Sequence, residues 1–344
     1  MRILSIGGTD FAQAWRNMGH HVLTMGKGAG HDVPLTHLIG PRELWEILVS
    51  RNFRPELTVW VDRCRPLEVF GLERMPGVVV GYSIDQYCNP WHVPYSWAFD
   101  LFLVAQRDYL ELFHDPRAWR ECRWFPLYCR LDVDRDPGVE RDIPVSFVGT
   151  LNPPLNPDRG PFLRRFRQTC PTIVQQGTYA PIFGRSHIVI NQSVVGELNF
   201  RLFQATACGA AVLTEDVANG LREVFVPDEE ILVYPRNDPQ AAACIAHQAL
   251  AEPERLKELA RQGKRRVLRD HSSVVRAREI LRLAEGLLVS GAAGRRKTGM
   301  DLVQEHMLKT YTSLATDKRL PLPLDHRHFY AEAARNTCLE TFEQ

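Results

Sequence analysis

The chain has 344 residues, 44% hydrophobic and 24% charged, with a formal net charge of +1. At about 100–200 residues per domain, this length fits two domains with full cores. The near-neutral charge gives no global field for nucleic acid, so none is expected as a partner. No stretch approaches the ~18 continuous apolar residues of a transmembrane helix. The apolar run in Met1-Arg2-Ile3-Leu4-Ser5-Ile6 is too short for a secretory signal and is followed at once by Gly7 and Gly8. Eight cysteines lie scattered in apolar surroundings, none in a CxxC pair. That pattern predicts buried reduced thiols and a cytoplasmic location.

In chain order, short β-branched runs alternate with helical patterns, which predicts parallel α/β layers. The first half offers strands at Arg2–Ile6, His21–Thr24, Leu57–Val61, Val78–Tyr82 and Leu101–Ala105, with helices at Phe11–Met18 and Glu43–Ser50. A polar stretch, Arg130 to Gly138, ends in a Pro-Gly turn signal and reads as an interdomain linker. The second half offers strands at Val145–Val148, Thr172–Val174, His187–Ile190, Ala211–Thr214 and Ile231–Tyr234. Its helices are predicted at Phe162–Gln168, Glu197–Cys208, Gly220–Phe225 and Gln240–Ala251, followed by two long amphipathic helices, Glu254–Arg269 and Val274–Leu288. Residues 290–297, with the trio Arg295-Arg296-Lys297, read as a flexible, solvated basic break before a helical tail. The expected division is 1–130, 140–290 and a tail at 299–344. In parallel sheets of this kind ligands sit beyond the carboxyl ends of the strands, so the strand-to-helix loops facing an interdomain cleft are where function is sought.

The stretch from Ile188 to Phe225 is the most informative. A strand ends, a loop turns, and a helix is predicted from about Glu197. Glu197, Arg201, Gln204 and Cys208 would then share one helix face. A helix N-terminus beside an arginine suits a diphosphate, because free N–H groups and a guanidinium both favour an anion. A surface Glu197–Arg201 pair would satisfy the same spacing.

The segment Arg201-Leu202-Phe203-Gln204-Ala205-Thr206-Ala207-Cys208-Gly209-Ala210, with Leu213-Thr214-Glu215 and Asn219-Gly220-Leu221, resembles the donor-binding segment of GT-B glycosyltransferases, in particular the CgeB-like, spore-maturation type. Weaker similarities lie at residues 144–150, 82–85 and 99–106, and in the spacing of His271 and Arg276. The resemblance implies two Rossmann-like domains facing a cleft, with a helical C-terminal extension. It implies transfer of a sugar from a nucleoside diphosphate sugar to a hydroxyl acceptor, without metal or other cofactor. The acceptor class (glycan, protein or small molecule) stays open. Arg201 would contact the diphosphate, with Gly149 and Thr150 allowing close backbone approach and Glu197 and Asn199 beside them. Gln204 stands where many such enzymes hold the ribose with a glutamate, and Gly196 stands where the other glutamate of the retaining pair would fall. These two departures leave a catalytically inactive nucleotide-sugar-binding scaffold as an alternative, and an epimerase as another.

The candidate bases lie in the first domain: Asp85 after the strand Val78–Tyr82, and His92 in Asn89-Pro90-Trp91-His92. Asp85 capping a turn and His92 lying on a surface loop are the plainer readings. Gly7 and Gly8 could form part of the acceptor cleft or simply a tight turn. Asp132-Val133-Asp134 falls in the linker, so a metal-binding DxD is not expected there. Gly7-Gly8-Thr9 lacks the full GxGxxG, which disfavours a nicotinamide enzyme.

Overall fold

Strands that are apolar at nearly every position must be covered on both faces. Leu57–Val61 and Val78–Ser83 are such strands, each with one polar residue, Thr58 and Ser83, and both are buried at every position. The computed structural model describes residues 1–151 and 156–342, with side chains as far as Thr337. The Cys338 side chain and residues 343–344 of the expected tail lie outside the described residues. Two parallel sheets result. The first contains β1 (Arg2–Ile6), β2 (His21–Lys27), β3 (Val33–Leu35), β4 (Leu57–Val61), β5 (Val78–Ser83), β6 (Leu101–Val104) and β7 (Glu121–Trp124), in the order 3-2-1-4-5-6-7. The second contains β8 (Ile143–Val148), β9 (Ile173–Gln175), β10 (Ser186–Asn191), β11 (Ala211–Glu215) and β12 (Leu232–Tyr234), in the order 12-11-10-8-9. The edge strands β3 and β7 are additions to the sequence reading; β7 alternates exposed and half-buried residues and has no apolar run to announce it.

The helices are α1 (Ala12–Asn17), α2 (Pro41–Ser50), α3 (His92–Tyr95), α4 (Arg159–Thr169), α5 (Ala180–Phe183), α6 (Phe200–Ala207), α7 (Leu221–Val224), α8 (Pro239–Ala251), α9 (Pro253–Asp270), α10 (Ser273–Val289), α11 (Ala292–Thr298), α12 (Met300–Thr316) and α13 (Leu324–Phe342). None of the described helices is long and apolar enough to cross a membrane.

The chain divides into two compact units: Met1–Phe125 with Ala277–Gln344, and Pro126–Arg276. Compared with the expected boundaries, the second unit gains 126–139 and gives up 277–290, and the tail belongs to the first unit. Hydrogen bonding explains the gain. Cys129 pairs in parallel with Ser272, and Arg276 Nε donates to the Pro126 carbonyl at 2.8 Å. Asp134, 1% exposed, accepts from the Arg130 amide at 2.6 Å and from the Tyr179 hydroxyl at 2.7 Å. The presumed linker is therefore a folded turn, and Asp134 is engaged in holding it.

The tail completes the first core. Val303, Met307, Tyr311, Leu314, Leu320 and Tyr330 are buried in the same apolar cluster as Leu4, Trp60 and Phe102. Each such side chain contributes about 1.5–3 kcal/mol of burial. The basic break is a correction. It forms α11, and Arg296 is fully buried, ion-paired to Asp100 and donating to the carbonyls of Glu73, Met75 and Gly77. Sequence composition cannot distinguish an arginine solvated in a linker from one whose three nitrogens all bond to protein.

Removing one partner of a buried pair leaves the other charged and unpaired, at a cost of about 3–5 kcal/mol. Arg296→Met is expected to lose stability of that order in urea unfolding. The double variant Arg296→Met, Asp100→Leu should recover at least half of it.

Candidate functional site

In the second unit, the carboxyl ends of β8 and β10 and the start of α6 meet around one aromatic ring. Phe147 is fully buried near the end of β8. The Arg201 guanidinium lies 4.3 Å from its centroid, donates through Nε to the Val148 carbonyl at 3.0 Å and through Nη1 to Asn191 Oδ1 at 2.6 Å. Arg159, the first residue of α4, approaches the same ring at 5.6 Å. It donates to the Thr150 carbonyl at 2.9 Å and to both oxygens of Gln192, side chain and backbone, at 3.0 Å. All of these acceptors are neutral. Two cations thus approach one ring and staple the ends of β8 and β10 and the loops that follow.

Burial, with the neighbouring Arg159 charge second, pushes the Arg201 pKa down to about 9. Arg201 keeps some accessible surface, so an anion arriving there would relieve the desolvation. Gly149 leaves room for this arrangement: a Cβ there would lie 2.2 Å from Arg201 Nη2, and the guanidinium would have to shift. Thr150 is exposed and offers its carbonyl to Arg159.

The helix starts later than its apolar pattern predicts. Asn199 is the N-cap of α6, its side chain accepting from the Arg201 amide at 3.2 Å. Glu197 therefore lies outside the helix and does not share a face with Arg201. Its carboxylate turns back on the loop, accepting from the amides of Val194 at 2.9 Å and Val195 at 2.8 Å, and it is 3% exposed. An acidic residue ahead of an asparagine cap satisfies loop amides better than it extends a helix. Gln204, one turn beyond Arg201, is half-buried, and its side-chain amide has no hydrogen-bond partner among the described residues.

Two arginines escaped the sequence reading. Arg159 had a signal, since it begins a helix soon after Gly149 and Thr150. Arg236, just past β12, is exposed and makes no hydrogen bond or ion pair among the described residues. Its Nη1 lies 3.4 Å from where a side chain at Gly196 would begin, and Gly196 has φ +93°. A guanidinium thus stands beside the position where the resemblance leads one to expect a carboxylate.

The first unit gathers its candidates around a residue that sequence reasoning missed. Asp62 follows β4 and is 1% exposed. It accepts from the amides of Cys64 at 2.8 Å, Ile84 at 3.0 Å and Asp85 at 2.8 Å, and burial pushes its pKa up. Asp85 is half-buried and accepts from the Tyr87 hydroxyl at 2.9 Å. His92 is a correction to both earlier readings, base and surface loop. It is fully buried at the start of α3, held by Ser83 Oγ at 2.8 Å and edge-on to Trp60 and Trp91. A ring sealed from solvent has no path to an acceptor proton. Gly7, with φ +84°, passes so close to the Val61 carbonyl that a Cβ would lie 2.5 Å from it, and Gly8 accepts from Ser5 Oγ at 2.8 Å. Among the described residues no group of three or more His, Cys, Asp or Glu could hold a metal ion.

A family model described as "Glycosyl transferase-like" matches residues 140–282, which includes every arginine of the second-unit site. No curated protein is similar in sequence at a significant level. Among solved structures, sucrose-phosphate synthase from Thermosynechococcus elongatus aligns with a TM-score of 0.58 at 14% identity, covering 84% of this chain and 100% of that one. HepE of Anabaena, in complex with UDP-glucose, aligns at 0.60 and 12% identity, covering 83% and 100%. A glycosyltransferase from Rickettsia africae aligns at 0.58 and 10% identity, covering 83% and 98%. The fold is that of the GT-B glycosyltransferases. The GT-B assignment agrees with the two parallel α/β units and helical C-terminal region read from the sequence.

Two buried histidines give a pH signature. Burial pushes His92 and His271 down to about 3, with the Arg276 charge adding to the effect at His271. His271 Nδ1 faces Arg276 Nη2 at 2.7 Å, which requires a neutral, accepting ring. A base whose folded pKa is depressed stabilises fully above its unfolded pKa, near 6.5, and the contribution is lost as pH falls toward the folded value. The expected loss is about 2 kcal/mol per histidine at pH 5. Urea midpoints at pH 7 and pH 5 measure it, and His92→Asn or His271→Asn should flatten the dependence.

Proposed function

We propose that the protein is a glycosyltransferase that moves a sugar from a nucleoside diphosphate sugar to a hydroxyl acceptor, with the donor diphosphate held at Arg201 and Arg159. The observation that carries this reading is the pair of guanidinium groups at the carboxyl end of a parallel sheet, both hydrogen-bonded to neutral oxygens and both flanking Phe147. Such a pair meets the developing charge of a leaving diphosphate in a partly dehydrated wall, where fixed positive charge is most effective. No metal is needed in this scheme. The capped start of α6 adds backbone N–H groups and the helix dipole on the same side.

In the proposal, Gly149 and Thr150 line the diphosphate, and Gln204 meets the ribose through an amide that both donates and accepts. Glu197 fixes the loop around Val194 and Val195, and Asn199 fixes the helix start. Asp85, positioned by Asp62, is the proposed base that takes the acceptor proton, and Gly7 and Gly8 lie on the acceptor side. The CgeB-like subfamily and a cytoplasmic location, the latter read from the free cysteines, belong to the same proposal. HepE is described with UDP-glucose and an alpha-glucosyltransferase with UDP, so uridine diphosphate is the first nucleotide to try. Arg236 beside Gly196 favours keeping a second reading, a scaffold that binds nucleotide-sugar without turnover.

Calorimetric titration with nucleoside diphosphates is expected to find one that saturates the protein, weakened by about 1.5–3 kcal/mol in Arg201→Ala. Gly149→Ala, which displaces the same guanidinium, should weaken it comparably. A folded protein that binds no nucleoside diphosphate sinks the donor-site reading.

Once a donor and acceptor are identified, Asp85→Asn should lower turnover by about 10²–10⁴-fold while leaving nucleotide affinity unchanged. Undiminished turnover in that variant removes Asp85 as the base, and nucleotide binding with no turnover by the wild type selects the second reading.

A further inference from the structure

Two thiols of the first unit meet at the carboxyl end of its sheet. Cys64 lies in the loop after β4 and is exposed; Cys88 lies in the turn after β5 and is half-buried. The two strands are parallel neighbours, with Val61 opposite Tyr82, so both segments leave the same end. The Cys64 and Cys88 thiols are hydrogen-bonded to each other. One carboxylate holds both segments: Asp62 accepts the Cys64 amide on Oδ1 at 2.8 Å and the Asp85 amide on Oδ2 at 2.8 Å. The Asp85 carbonyl in turn accepts from the Cys88 amide at 3.0 Å. Cys64 has φ +52°, a left-handed backbone uncommon for a residue with a side chain, so its surroundings hold it there.

Scattered cysteines read as buried thiols, and Cys129, Cys170 and Cys208 are buried. A hydrogen-bonded pair with one exposed member is suited to a different chemistry, thiol–disulfide exchange. Among the described residues no third His, Cys, Asp or Glu completes a metal-binding group with it. The oxidant is a small-molecule disulfide. One protein thiolate attacks one of its sulfurs, forming a mixed disulfide and releasing a small thiolate. The second protein thiol gives its proton to water and attacks the protein-bound sulfur, and the other small thiolate leaves. Two protein thiols are oxidised, and one small disulfide is reduced to two thiols. The hydrogen bond to Cys88, partial burial of the sulfur, and the carboxylates Asp85 and Asp62 hold the proton on Cys64. Exchange is therefore slow near neutral pH and quickens as pH rises.

We propose that Cys64 and Cys88 form a reversible disulfide site, and that closing the bond slows glycosyl transfer by displacing Asp85. A covalent S–S bond is shorter than any contact between thiols, so closure draws the two segments together. Asp62 and the Asp85–Cys88 turn pass that movement to the proposed base. A misplacement of about 1 Å can cost on the order of 10²-fold in rate. The effect on transfer rests on the reading of Asp85 as the base; the disulfide itself does not.

The test incubates the full chain with oxidised glutathione for hours at about pH 8, blocks the remaining thiols by alkylation and maps the peptides by mass spectrometry. A cross-linked peptide pair joining Cys64 to Cys88 is expected, cleaved again by dithiothreitol. Cys244, exposed in the second unit, is expected at most to carry glutathione. Cys64→Ser and Cys88→Ser should each abolish the cross-link. Once donor and acceptor are identified, the oxidised wild type should turn over about tenfold more slowly or less, and dithiothreitol should restore the rate. The same oxidation should leave the double variant Cys64→Ser, Cys88→Ser at its own starting rate. Mixed disulfides with glutathione alone, or no oxidation of the folded wild type, would overturn the site. A cross-linked protein with undiminished turnover removes its hold on Asp85. A wild type without turnover sinks the transferase reading and the effect on transfer with it, while the peptide map still decides the site. Should one serine variant fail to fold, the other and the dithiothreitol reversal decide the matter.

Discussion

Two guanidinium groups sharing one phenylalanine ring constrain the carboxyl end of the second sheet. Arg159 reaches from α4 and Arg201 from α6, and between them they hold the loops after β8 and β10 by hydrogen bonds to four different residues, Val148, Thr150, Asn191 and Gln192. Like charges repel in proportion to how little water screens them. Their proximity therefore costs free energy, and the diphosphate proposed to bind there would relieve that cost. Local details follow from it. A side chain at position 149 would compete with the Arg201 guanidinium for the same space. Asn191 must turn its oxygen to Arg201, which leaves its amide nitrogen for Thr214 at 3.0 Å.

The first unit is organised by a carboxylate instead. Asp62 gathers three loop amides where β4 ends, and one of them belongs to Asp85. The backbone of the proposed base is thus fixed by a residue that is itself buried. Deeper in the same unit, Asp100 receives Arg296 from α11 and the Val79 amide from β5. This buried pair ties the returning C-terminal helices to the sheet, so the tail is part of the core.

Parallel-sheet architecture was legible in the sequence because a strand buried on both faces writes its environment directly into its composition. Leu57–Val61 and Val78–Ser83 left no alternative. The edge strands β3 and β7 were not legible, since β3 has only three residues, β7 alternates exposed and half-buried ones, and their pairing is decided by the neighbouring strand. Arg201 was found through its place at a predicted helix start. The displacement of that start from Glu197 to Phe200 was not, because capping depends on which side chain actually reaches the free amides, and Asn199 and Glu197 divide that task in three dimensions.

The sequence by itself determined the periodicities, and with them two α/β layers, a likeness to GT-B enzymes and an arginine at a strand-to-helix junction. Tertiary structure decided which charges are solvated and which are enclosed. Arg296 and Asp134 read as surface residues and are buried; His92 reads as a loop residue and is sealed among tryptophans; Arg159 becomes a partner of Arg201 across 42 residues of chain. The physical reason is range. Hydrophobic periodicity acts between neighbours a few residues apart, whereas the desolvation of a charge depends on everything that packs around it, and most of that is distant in sequence.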